Sequence, residues 1–233
     1  MKNLPATAFF CLLSTGAAFA QTAPQVRAVA SFHAVEVSNG IELSLSSGPA
    51  QRVEASADDA DQLERLKTEV REGVLKISFE RKLTETWTMS KTRHLRVRVT
   101  ATSLDALRAS SGARVEVADA FTTRQLDVAV SSGATLRARF ASTDLRAQVS
   151  SGGVATLAGN AERLDVGASS GGVFKGSELT ARACDASASS GGTVDVAVQE
   201  TLTAKASSGG DVRYSGSPRL SKRTSSGGSV KGR

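Results

Sequence analysis

"LDVGASSGGVFKGSELTARACDASASSGGTVDV", residues 164–196, writes Ser-Ser-Gly-Gly twice, 20 residues apart. Aligning the chain from Ser110 onward on Ser-Ser-Gly places first serines at Ser110, Ser131, Ser150, Ser169, Ser189, Ser207 and Ser225, with spacings of 21, 19, 19, 20, 18 and 18. A period near twenty with no helix-like segment between the marks predicts a β-solenoid, one coil per repeat.

The columns of that alignment carry the prediction further. Five residues before the first serine stand Leu126, Leu145, Leu164, Cys184, Leu202 and Leu220; three before stand Val128, Ala147, Val166, Ala186, Ala204 and Lys222. Between them run Asp127, Arg146, Asp165, Asp185, Thr203 and Ser221, so the segment alternates with period 2, as a strand with one buried face does. After the glycines, Val115, Leu136, Ala155, Phe174, Val194, Val212 and Val230 form another apolar column. A second one, Val117, Ala138, Leu157, Val196 and Tyr214, is interrupted by Gly176 and Gly232. Leucine-rich repeats want an L-x-x-L-x-L pattern that these units lack, and an ordinary sandwich would not return the same residue to the same column. The prediction is an all-β chain, a right-handed parallel β-helix of 18- to 21-residue coils over residues 104–233.

The Ser-Ser-Gly triplet is the corner of each coil. Positive φ is cheap only for glycine, which assigns the turn to Gly152, Gly171, Gly191, Gly209 and Gly227. If strand alternation continues through the triplet, Ser151, Ser170, Ser190, Ser208 and Ser226 face inward as a hydroxyl ladder. They are not expected to be nucleophiles, because the only imidazoles, His33 and His94, lie outside the repeat. Cys184 occupies the leucine column and reads as a small buried hydrophobe.

Residues 26–103 read as a less regular β-rich lobe that caps the solenoid. Val35, Val37, Ile41, Leu43 and Leu45 share one face, with turn signals at Ser38-Asn39-Gly40 and Ser46-Ser47-Gly48. "ADDADQLERL", residues 57–66, is short enough for a helical turn or two, and "VLKISFE" and "LRVRVT" are later strands. The strand pair around Asn39-Gly40-Ile41, the "GVLKISFE" segment and the serial strands ending in SSG or SSGG together resemble the head GIN domain family of autotransporter adhesins. The resemblance covers nearly the whole chain after its leader. It implies an exported, β-helical protein with an adhesin-like role; a C-terminal membrane barrel and self-translocation are not expected.

The chain opens with one lysine, an apolar run from Ala6 to Leu13, and Ala18-Phe19-Ala20, which predicts a secretory leader over residues 1–20. Later stretches are too polar to span a bilayer. Removing the leader removes Cys11 and leaves Cys184 alone, so no internal disulfide is expected. Lys and Arg number 29 against 23 Asp and Glu. An exported basic protein, periplasmic, surface-bound or secreted, favours anionic partners such as lipopolysaccharide, acidic glycans or another envelope protein. Few exposed aromatics, with Trp87 and Tyr214 the main ones, argue against nucleic acid.

No P-loop, HExxH, CxxC pair or GxSxG motif is present, and no metal or cofactor is expected. The outward acids Asp127, Asp165 and Asp185 are broken by Arg146 and read as a solvated strand face rather than a glycosidase pair. The outward column of the second strand, Arg137, Thr156, Lys175, Asp195, Arg213 and Lys231, is mostly basic. Arg137, Lys175, Arg213 and Lys231 are the candidate binding residues of a non-catalytic surface-interaction module. Two other readings are a structural protein that self-associates through open coil ends and, less favoured, a glycan-active enzyme.

Overall fold

The computed structural model describes residues 23–81 and 93–233; the leader and Trp87 lie outside them. The chain winds as a β-solenoid whose coils have two strand sides, joined at one end by the Ser-Ser-Gly corner. In the regular part β10 (Phe121–Val130), β11 (Thr135–Val149), β12 (Val154–Ala168), β13 (Val173–Ala188) and β14 (Thr193–Ala206) stack in parallel, followed by β15 (Asp211–Ser215), β16 (Arg219–Thr224) and β17 (Ser229–Gly232). Each long strand is the second side of one coil and the first side of the next. Leu126, Leu145, Leu164, Cys184, Leu202 and Leu220 are consecutive partners across the stack.

At every corner two successive residues have positive φ. Ser151 is at 49° and Gly152 at 70°, and the Gly153 amide donates to the Ser150 carbonyl at 2.9 Å, the pattern of a type I′ turn. Gly171, Gly191, Gly209 and Gly227 repeat this at 71° to 74°. The expected inward serine ladder is absent: Ser151, Ser170, Ser190, Ser208 and Ser226 are exposed. Two left-handed residues in a row end the strand alternation, so the chain returns inward only at the second glycine. The corners stack through backbone instead, the Gly152 amide donating to the Ser170 carbonyl at 3.2 Å and Gly171 to Ser190 at 3.1 Å. The second glycine has its own reason. A Cβ on Gly192 would lie 2.4 Å from the carbonyl oxygen of Ala168 in the preceding coil.

The N-terminal part adds coils out of chain order. Strands β2 (Ala34–Val37) and β3 (Glu42–Ser47) flank Asn39 and Gly40, at φ 62° and 72°, and form the same corner. That coil is sandwiched between one made of β8 (Ala106–Ala109) and β9 (Arg114–Val117), and one made of β6 (Val74–Phe79) and β7 (Arg96–Ala101). Gly40 donates to the Ser111 carbonyl at 2.9 Å, so the corner row is continuous. By contrast Ser46-Ser47-Gly48 is no corner: both serines belong to β3, and Gly48 precedes Pro49, which favours extended backbone. Antiparallel strands close this end, β5 (Leu66–Arg71) on β6, β4 (Arg52–Ser56) on β7, and β1 (Gln25–Val26) on β4. The acidic stretch supplies α1 (Ala60–Arg65), whose N-cap Asp59 accepts from the Gln62 amide at 2.8 Å.

The core is filled by alternating volumes. Phe174 is fully buried between Ala155 and Val194, and a Cβ on Gly176 would meet its ring at 2.4 Å. Gly232 likewise lies against Tyr214, with a built Cβ 3.2 Å from the ring. Both interruptions in the apolar column are therefore spaces for an aromatic neighbour.

At the other end β16 is exposed at every residue. It pairs in unbroken register with β14, Leu220 opposite Leu202 and Lys222 opposite Ala204, and has no neighbour on its outer side among the described residues. Lys222 stands where the other coils bury valine or alanine, a charge that discourages edge-to-edge pairing.

Ser190→Asn keeps the turn and relieves a serine at positive φ, so thermal melts should show a gain of about 0.5–1 kcal/mol. Gly192→Ala should lose about 1–3 kcal/mol through its clash with the Ala168 carbonyl. Lys222→Leu should introduce concentration-dependent association in sedimentation velocity beyond that of the parent chain; matching sedimentation would show that Lys222 does not guard the edge.

Candidate functional site

The outward face of the second strand side brings the basic column together. Parallel register places Arg137 beside Thr156, Thr156 beside Lys175, Lys175 beside Asp195, Asp195 beside Arg213, and Arg213 beside Lys231. Arg137, Lys175, Arg213 and Lys231 are all exposed, while Thr156 and Asp195 are half-buried. With neighbours about 4.8 Å apart, the six residues make a track about 24 Å long. A shallow groove of about 500 Å³ runs over its first part, lined by Glu42, Ser44, Arg114, Glu116, Arg137, Thr156 and Lys175, among others.

The aspartates Asp195 and Asp211 on this face are engaged locally. Arg233 donates to Asp195 at 2.6 Å, leaving that carboxylate only 16% exposed. Asp211 accepts from the Ser229 hydroxyl at 2.6 Å and pairs with Arg213 at 2.7 Å. The Ser229 hydrogen bond first, with Arg213 assisting, holds the Asp211 carboxyl below the usual carboxylate range. The face is thus net positive with its aspartates already partnered.

Beyond Arg137 the same column continues through Glu116, Ser44 and Arg98. Sequence reasoning missed these three as column members. The alternation in "LRVRVT" marks Arg96 and Arg98 as outward, yet only the out-of-order coils show which residues they border.

The first strand side carries ion pairs across coils. Arg146 pairs with Asp165 at 3.1 Å, Arg163 with Asp144 at 2.5 Å, and Arg182 with both Glu162 at 2.6 Å and Glu200 at 3.1 Å. Asp127, Asp144, Arg146, Arg163, Asp165 and Asp185 border a second open groove of about 460 Å³. The Arg163 guanidinium holds the Asp144 carboxyl below its ordinary range, the opposite of what a general acid requires. Both imidazoles are paired with carboxylates, His33 with Asp105 at 3.3 Å and His94 with Asp58 at 3.1 Å. His33 Nε2 lies against Gly73, where a Cβ would be 2.4 Å away.

Cys184 is 4% exposed in the leucine column, and burial, reinforced by the Asp185 and Asp165 charges, pushes its thiol up to about 12. In the native protein at pH 8 it should react with a soluble disulfide reagent at least roughly a hundredfold more slowly than in denaturant. Equal rates would place the thiol at the surface.

Comparison with known proteins bears on this architecture. A family model described as "Putative auto-transporter adhesin, head GIN domain" matches residues 31–218, most of the strand-forming chain. The chain belongs to the head GIN domain family. Among solved structures, this head GIN chain is similar to a putative adhesin from Bacteroides fragilis at 17% identity and a TM-score of 0.79, covering 91% of this chain and 96% of that one. A putative adhesin from Parabacteroides distasonis gives 18% identity and a TM-score of 0.66, with 91% and 96% covered. A protein from the same organism described as a putative lipid binding protein gives 16%, 0.57, 91% and 97%. At these identities the likeness is one of fold. None of the curated proteins matches the chain. Among the described residues no helix is long and apolar enough to cross a membrane.

Proposed function

We propose that this head GIN chain is an exported, non-catalytic surface-interaction module that holds anionic glycan or another anionic envelope component along the outward face of its second strand side. The observation that carries the reading is the exposed column of Arg137, Lys175, Arg213 and Lys231, aligned by strand register beside a groove of about 500 Å³. The adhesin-like family supports a surface role, and the leader sequence supports export. Solvated charges on a rigid row attract a polyanion over a range set by salt, so binding should weaken as ionic strength rises.

Replacing Arg137, Lys175, Arg213 and Lys231 together with glutamine should reduce binding to acidic glycans and to lipopolysaccharide at least about tenfold, since exposed pairs contribute modestly one by one and add along a row. All four side chains point to solvent, so the melting temperature should change little. Full binding by the quadruple variant would sink the reading.

A further inference from the structure

The column carries a spacing as well as a sign. From Arg137 to Lys175 is two coils, through Thr156, and from Lys175 to Arg213 is two coils, through Asp195. The cations therefore recur every second strand, about 9.6 Å apart. The two residues between them are not equivalent spacers. Thr156 offers a neutral hydroxyl. Asp195 accepts from Arg233 through Oδ2 and is a half-buried carboxylate in the same row. On the far side of Arg137, Glu116 is the adjacent member of the column and repels a polyanion there, so the track has a defined start.

Resting on the anion-binding reading above, we infer that this track selects an extended acidic polysaccharide carrying one carboxylate per disaccharide. An extended β-linked disaccharide has about the length of two strand spacings. Its carboxylates would meet Arg137, Lys175 and Arg213, the last shared with Asp211, while the intervening neutral sugars would present hydroxyls to Thr156 and to Asp195. A glycan charged on every sugar would set a carboxylate directly against Asp195, and like charges in contact oppose binding. Phosphates of a nucleic-acid strand also recur more often than once in about 9.6 Å. Lys231, one strand beyond Arg213, adds general attraction at the end of the track.

Calorimetric titration of the intact protein with six-sugar probes tests this. The probes are a hyaluronan hexamer, with a carboxylate on alternate sugars, an oligogalacturonate hexamer, with one on every sugar, and a neutral dextran oligomer. The alternating probe should bind about fivefold tighter than the uniformly charged one despite its lower charge, and dextran should not bind measurably. Thr156→Lys with Asp195→Asn puts a cation in one gap and removes the repulsion in the other, so the order should reverse. Thr156→Lys alone, at a half-exposed position, serves if the double variant folds poorly.

Oligogalacturonate binding as tightly as or more tightly than the alternating probe, with both lost in the quadruple glutamine variant, would overturn the spacing inference and leave the anion-binding reading standing. So would binding to lipopolysaccharide alone, again lost in that variant. Binding of every anionic probe undiminished by the quadruple variant would overturn both.

Discussion

The structure depends on a corner in which two adjacent residues are held at positive φ. That turn reverses the chain in four residues, lays both strand sides alongside those of the neighbouring coils, and offers an amide that bonds to the corner of the next coil. The Gly152 amide on the Ser170 carbonyl and its counterparts tie the coils at the same angular position. With the corners in line, leucine falls on leucine and the outward charges fall into rows. Slipping one strand by one residue would exchange the buried and exposed faces, so the corner protects the core pattern and the surface pattern together. A serine at φ near 50° is an expensive choice for this turn. Asn39 fills the same place in the N-terminal coil with a residue better suited to it, and its side chain also accepts from the Phe79 amide at 3.3 Å.

Within that frame, packing is decided both along a strand and between coils. Phe174 needs Gly176 beside it and Ala155 beneath it, and the second glycines of the corners leave room for carbonyls of the preceding coil. The ends of the stack are handled differently. Antiparallel strands and a short helix close the end built from residues 25–79, whereas the edge at β16 is dressed with Arg219, Lys222 and Arg223. The two sides also diverge in charge organisation. The first side joins its carboxylates to arginines one coil away, and the second leaves four cations facing solvent with its aspartates already occupied. Arg213 is shared with Asp211, while Arg137, Lys175 and Lys231 stand exposed, so the positive charge proposed to hold a polyanion lies on the second side of the solenoid.

The sequence by itself determined the repeat, its period, the buried columns and the membership of the basic row from Arg137 to Lys231. Each of these is a local pattern repeated in phase, and repetition makes a weak local signal legible. Head GIN membership was legible for the same reason, through the order of its strands. Tertiary structure alone decided the rest. Serine orientation at the corner depends on a backbone angle that serine usually avoids, so strand alternation pointed it the wrong way. The tripeptides at Ser46 and Ser110 are identical, and Pro49 together with the strand context makes only the second a corner. Glu116 stood open in the alignment between Val115 and Val117, but the continuation of the charged row into Ser44 and Arg98 was hidden because β2 and β3 are inserted between coils formed later in the chain. Strand neighbours are set by backbone hydrogen bonds across the stack, and chain order does not record them when coils are laid down out of sequence.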